Sequence, residues 1–203
     1  MFKKILSKNL RKPSFLFGNI IQNVFDANIT VYEESEKYID FNKIENAFEI
    51  GYGPGYGIRN YCSKYKLKID GIDFSKAMYF QAKKRNLCFI KQDRVKLFYG
   101  DFENYTLNEK KYDIVYLFNI IYFIKDIDLF MTKILSMLNE NGVILIFMDG
   151  ADVLAKNNNI DKSVFIIYEV EKIISTLQKN GFKNIKKNES TVFKGSFFLI
   201  GIK

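Results

Sequence analysis

The residues able to do chemistry fall in one glycine-rich stretch and at three polar positions downstream of it. Glu49-Ile-Gly-Tyr-Gly-Pro-Gly-Tyr-Gly57 sets its glycines two apart, directly after the apolar Ala47-Phe48 and Ile50. Glycine has no Cβ and accepts positive φ, so such a run lets main chain approach a ligand closely. An amphipathic segment follows, and the free N–H groups of its first turn suit an anionic or nucleotide-like group. Asp73, Asp101 and Asn119 then each stand where an apolar run ends. Histidine is absent, which removes the commonest general base and the commonest metal ligand. Cys62 and Cys88 read as small core residues in a reducing compartment, and no metal site is expected.

These residues need a scaffold, and the periodicities supply one. Strands are expected at Ala47–Ile50, Lys68–Asp73, Arg94–Tyr99, Tyr112–Phe118 and Val143–Met148, followed by two more at about 182–187 and 192–202. Helices are expected between them. Ile58, Tyr61, Cys62 and Tyr65 recur at i, i+3, i+4 and i+7, and Ile127, Phe130, Met131, Ile134, Leu135 and Leu138 form the cleanest stripe. Ser75 caps a helix through about Arg85, with Met78 and Ala82 facing inward. Asn141-Gly142 stops the helix before the fifth strand, and residues 150 to 166 read as a long loop. The alternation predicts an α/β fold: a Rossmann-like, doubly wound seven-stranded sheet, mostly parallel with an antiparallel C-terminal strand, plus N-terminal helices. Residues 1–41 are expected to be a helical extension and 42–203 a single compact unit. Within the extension, Phe17, Ile20, Ile21, Val24 and Phe25 share one helical face, open to three readings: packing, a lid over a pocket, or a membrane-surface contact. A second, weaker helix is expected over 26–41.

At 48% hydrophobic and 27% charged residues, the chain is globular and not disordered. No apolar run is long enough to span a bilayer, and the N-terminus lacks the apolar centre of a signal peptide. A cytoplasmic protein without stable membrane insertion follows. The net charge of +8 would suit an acidic partner such as RNA. The basic residues look spread along the chain, with small clusters at Lys83-Lys84-Arg85 and Lys186-Lys187, none interleaved with exposed-looking aromatics.

The glycine spacing narrows the ligand. A dinucleotide fingerprint needs glycine at the first, third and sixth positions. Counting from Gly51 the sixth is Tyr56, and from Gly53 it is Ile58, so both phases fail. A phosphate-binding loop fails as well, since no Gly-Lys-Ser/Thr follows. What is left is Glu49-Ile-Gly-Tyr-Gly-Pro-Gly. It resembles the first motif of class I S-adenosylmethionine-dependent methyltransferases of the type-11 kind. Asp70-Gly-Ile-Asp-Phe-Ser75 with Met78 resembles their second motif, and Tyr99-Gly-Asp-Phe102 their third. Tyr112-Asp-Ile-Val115 through Asn119 is similar to the fourth-strand motif, and Leu138-Asn-Glu-Asn-Gly-Val143 to the turn into the fifth strand. The likeness covers about residues 45 to 200. Leu10-Arg-Lys-Pro-Ser14 and Asn119-Ile-Ile-Tyr-Phe123 extend it toward a bacterial subgroup without naming an acceptor.

The resemblance implies S-adenosyl-L-methionine as cofactor and a role for each residue. Gly51, Tyr52, Gly53 and Gly55 would shape the turn around its amino-acid end, with Glu49 on the ammonium side. Asp73 would accept from the ribose hydroxyls, a task that suits an acceptor-only carboxylate; capping the Ser75 helix is the alternative. Phe74 and Met78 would flank the adenine. Asp101, with Phe102 beside it, would accept from the adenine amino group or serve as a turn residue. Asn119 would sit near the methyl group. Tyr122, just past the fourth strand, is a candidate pocket residue or plain packing. Phe118-Asn-Ile-Ile121 lacks the Asn/Asp-Pro-Pro-aromatic pattern of methylation at planar nitrogens. A small-molecule acceptor leads, and RNA and a non-catalytic cofactor-binding protein remain open.

Overall fold

The computed structural model describes residues 29–106, 109–157 and 165–203. Seven strands form one sheet in the order β3-β2-β1-β4-β5-β7-β6. They are β1 (Asn46–Ile50), β2 (Lys68–Asp73), β3 (Val95–Tyr99), β4 (Tyr112–Phe118), β5 (Leu138–Asp149), β6 (Lys183–Glu189) and β7 (Ser196–Ile202). The β1–β2, β2–β3, β1–β4 and β4–β5 pairs are parallel, whereas β7 runs antiparallel to both β5 and β6. The chain steps outward from β1 to β3 and then returns to lay β4 on the other side of β1. That reversal opens a crevice beyond the C-terminal ends of β1 and β4, where α/β sheets bind ligands.

Helices cover both faces. A helical segment over 29–35 (α1), then α2 (Tyr56–Lys64), α3 (Lys76–Arg85) and the one-turn α4 (Leu87–Lys91) share one apolar layer. Helices α5 (Ile127–Met137) and α7 (Val170–Lys179) lie on the other. Phe48, Val115 and Leu117 on one face and Ala47, Ile114 and Tyr116 on the other are all 0% exposed, which explains why β4 is apolar apart from Asp113 rather than alternating. Helix α5 buries the expected stripe, and Asp126 caps it by accepting from the Leu129 N–H at 2.9 Å. Ser75 caps α3 through its Oγ, as expected, and Met78 and Ala82 are buried.

Several boundaries differ from expectation. Asn141-Gly142 does not stop a helix: α5 ends at Met137, and Leu138 is already extended and paired with Tyr112. The next pair is Ile114 with Val143, so Asn139–Gly142 bulge out of the ladder, with Asn141 at φ 62°. The stretch expected to be a loop after residue 150 contains α6 (Ala151–Lys156), which buries Leu154. Strand β7 begins at Ser196 rather than at Val192, because Gly195 turns at φ 80° and Val192 is left exposed. Cys88 is exposed, not buried, since α4 turns its Leu87–Cys88 side outward. Of the helix expected over 26–41, the described part is helical over 29–35; residues 36–38 turn, and Asp40 caps a short turn at Phe41–Lys43. The amphipathic face of Phe17, Ile20, Ile21, Val24 and Phe25 lies outside the described residues. Among the described residues, no helix is long and apolar enough to cross a membrane.

Candidate functional site

The turn after β1 has the conformation that its glycines allow. Gly51, Gly53 and Gly55 all lie in the left-handed region, at φ 77°, 52° and 78°, where a Cβ is strained. A Cβ on Gly51 would also stand 2.3 Å from Ile120 Cδ1. The turn therefore lies directly against the segment that follows β4. Tyr52 is buried and donates its hydroxyl to the Phe98 carbonyl at 2.9 Å, so its ring braces the turn from β3.

Asp73, at the end of β2, locks this turn from the neighbouring strand. Its Oδ2 accepts from Gly53 N–H and its Oδ1 from Ser75 N–H, both at 2.8 Å. The carboxylate thus steadies the start of α3 and the glycine turn together. Burial pushes Asp73 up to about 6, and the two N–H groups offset only part of that.

A cleft of about 500 Å³, open to solvent, runs from this turn across the ends of β2 and β3. Its walls are Gly51, Asp73, Phe74, Gly100, Asp101 and Phe102 on one side and the apolar Ile120, Phe123 and Ile124 on the other. Asp101 is exposed and caps the turn Phe102–Asn104 by accepting from Glu103 N–H at 3.0 Å. Lys133, reaching over from α5, clamps that turn by donating to the carbonyls of Phe102 and Tyr105, both at 2.6 Å. Burial holds the Lys133 ammonium below its ordinary range.

A smaller cavity of about 290 Å³ shares Gly51 with the cleft and is bounded by Tyr32, Gly53, Tyr56, Gly57 and Phe118. Beside it, Glu49 is 1% exposed and accepts from Tyr32 Oη at 2.5 Å and from Tyr116 Oη at 3.1 Å. Burial drives Glu49 up to about 7 against the pull of the two tyrosines, and the nearby Asp73 adds to the rise. The Tyr32 ring lies over Gly57, where a Cβ would come within 2.0 Å of it.

The remaining expected site residues sit apart from the cavity walls. Met78 is buried in the core under α3, so of the two residues expected to flank the adenine only Phe74 lines the cleft, where Asp101 and Phe102 join it. Asn119 takes φ 59° at the end of β4 and donates its N–H to Phe147 O. Tyr122 is 2% exposed, its hydroxyl accepting from Asp149 N–H and lying 3.5 Å from Asn119 Oδ1. It fastens Asn119 to the end of β5 rather than lining the cleft. Sequence reasoning missed Tyr32, Ile120 and Lys133. Only Ile120 carried a signal, its place directly after Asn119.

Residues 47–142 match a family model described as a methyltransferase domain. The chain is 26% identical over 168 residues to phosphoethanolamine N-methyltransferase 2 of Caenorhabditis elegans, a match covering 79% of this chain and 38% of that protein. A Haemonchus contortus phosphoethanolamine N-methyltransferase 2, solved with S-adenosyl-L-methionine, superposes with a TM-score of 0.67 at 20% identity, over 78% of this chain and 48% of that one. The S-adenosylmethionine-dependent methyltransferase SibL gives a TM-score of 0.78 at 14% identity, over 98% of this chain and 61% of its own. The chain thus spans less than half the length of the phosphoethanolamine methyltransferases it matches. The glycine turn, the two strand-end carboxylates and the sheet order thus stand in a chain that shares its fold with S-adenosylmethionine-dependent methyltransferases and whose residues 47–142 match the methyltransferase-domain model.

Proposed function

We propose that this protein transfers a methyl group from S-adenosylmethionine to a small-molecule acceptor. The observation that carries the reading is the single cleft on which Gly51, Asp73, Phe74, Asp101 and Phe102 converge. Its donor set fits the cofactor. Asp73 and Asp101 are acceptor-only groups for hydroxyls and an exocyclic amine. Ile72, Phe74 and Phe102 offer apolar walls for a flat ring, and Gly51 leaves room that any side chain would fill. Glu49 lines neither cavity, and a bound ammonium group nearby would favour its ionised form.

The bound cofactor supplies a methyl carbon on a sulfonium, an electrophile with a good leaving group. What the chain must add is alignment and the exclusion of water. Ile120, Phe123 and Ile124 form the dry wall of the cleft, and Tyr122 fixes Asn119 at its β4 end. No side chain needs to act as an obligatory base. The similarity to phosphoethanolamine N-methyltransferases covers most of this chain and puts small phosphorylated amines first among acceptors to test. RNA is the second reading, favoured by the +8 charge.

Calorimetry with S-adenosylmethionine tests the donor site: the intact protein should bind it, and Asp73→Ala should weaken binding at least about tenfold, the loss of charge-assisted hydrogen bonds. No binding by the intact protein would end the proposal. A screen with labelled donor against phosphoethanolamine, other small amines and RNA then decides the acceptor.

A further inference from the structure

The net charge, which looked dispersed in the sequence, has one address in the fold. Residues 59–99 hold eleven Lys and Arg against three Asp, a surplus equal to the whole chain's +8. They comprise most of α2 and all of β2, α3, α4 and β3, which is one edge of the sheet with its helical cover. The three acids are spent locally. Asp70 pairs with Lys110 at 2.9 Å, Asp73 is buried in the site, and Asp93 lies 3.6 Å from Lys68. Arg59, Arg85 and Arg94 turn to backbone carbonyls. Lys66, Lys76, Lys83, Lys84, Lys91 and Lys96 remain exposed, without an ion-pair partner among the described residues.

Aromatic rings lie among these lysines. Phe80 meets Tyr79 at 5.4 Å between centroids, and Tyr79 meets Tyr99 at 6.3 Å. Phe80 is 50% exposed and Tyr99 52%, and Lys83 Nζ stands 5.9 Å from the Tyr79 ring centre. The sequence reading expected no such interleaving. Folding creates it, because Tyr99 arrives from β3 and the other two rings from α3.

We propose that this flank docks single-stranded RNA. Six unpaired lysines call for a polyanion, and half-exposed rings offer faces on which unpaired bases stack. A duplex would hide its bases from those rings. A membrane surface fits less well: Ala77, Met78 and Ala82 face the core, and the exposed Phe80 has Lys76, Lys83 and Lys84 one helical turn away on either side, so charge interrupts the apolar groups Phe80, Leu87 and Tyr99. The flank reaches the sheet edge at Tyr99 of β3, and β2 and β1 separate β3 from β4. It therefore holds RNA at a distance from Asn119, whatever the methyl acceptor is.

The test is fluorescence anisotropy of a labelled oligouridine with the intact protein across a salt series. Affinity should fall steeply with salt, and Lys76→Gln/Lys83→Gln/Lys84→Gln should lower the log–log slope by about 2, at roughly 0.7 per contact for single strands. Phe80→Ala/Tyr99→Ala should weaken binding about tenfold or more at fixed salt while leaving the slope unchanged. Lys183→Gln/Lys186→Gln/Lys194→Gln removes the same charge elsewhere and should change neither quantity. Circular-dichroism melts establish that each variant folds. An equal slope loss in the control triple, absence of binding at low salt, or binding to phosphatidylglycerol vesicles but not to the oligonucleotide would each overturn the proposal.

Discussion

Glu49 and Asp73 are two buried carboxylates in one turn, and both have raised proton affinity, to about 7 and about 6. A folded-state value above the unfolded one means that the fold binds the proton more tightly. The associated stability is complete below about pH 4 and is lost as pH rises through the folded values. The protein without cofactor should therefore lose stability between about pH 4 and 7. For Glu49 alone the loss is about 3 kcal/mol, from a rise of roughly two units. Glu49→Gln should flatten that part of the curve, measured as melting temperature against pH; an unchanged slope would show that Glu49 titrates at its ordinary value. At Gly51 the constraint is steric. Gly51→Ala places a Cβ at φ 77° and 2.3 Å from Ile120 Cδ1. It should cost about 1–2 kcal/mol in backbone strain alone and reduce donor affinity, as read by calorimetry. Ile120→Ala added to it would relieve the contact but not the strain.

At the scale of elements, α1 is tied down at both ends of the helical layer. Tyr32 donates to Glu49, and Glu34 accepts from Ser190 Oγ at 2.6 Å and from the N–H and hydroxyl of Thr191 at 2.6 and 2.8 Å. Burial pulls the Glu34 carboxyl upward, but these hydrogen bonds outweigh it and hold it below its ordinary range. Its contribution is thus present at neutral pH and lost as pH falls below about 4. Glu34→Ala leaves Ser190 without its acceptor and should cost about 1–3 kcal/mol in urea unfolding at pH 7. Lys133 is the corresponding tie on the other face. Lys133→Met keeps the stem over Phe102, where Nζ now stands 4.9 Å from the ring, but frees three carbonyls. It should weaken donor binding several-fold while changing melting temperature little. A large drop in melting temperature with donor affinity intact would make it a purely structural clamp.

At the scale of the whole molecule, Val31, Tyr32, Ile39 and Phe41 are buried in the same layer as Tyr61 and Tyr116. A chain beginning at residue 44 would expose that layer and uncover Glu49. At about 1.5–3 kcal/mol per lost side chain, its melting temperature should fall by about 15 °C or more. A shift within a few degrees would show that this segment is a removable cover.

The doubly wound, mostly parallel sheet followed from alternation, because apolar runs of strand length separated by helical stripes have few right-handed, unknotted solutions; the order of its strands came only with the structure. The positions of the glycine turn, Asp73 and Asp101 at strand ends were legible for the same reason, since residue type and spacing record where an apolar run stops. Asn141-Gly142 misled because a glycine pair signals a break without saying whether the break ends a helix or bulges a strand. Cys88 misled because an apolar tetrapeptide does not reveal which side a single turn exposes. Tyr32 on Glu49, Lys133 on the Phe102 turn and the aromatic–lysine flank carried no signal, since each joins residues from separate elements. The sequence by itself determined the class of fold and the glycine turn at the end of β1, through local propensity and periodicity. Tertiary structure alone decided which carboxylates lost their water, which rings stayed exposed and where the charge gathered, because desolvation and long-range contact arise only when distant segments pack.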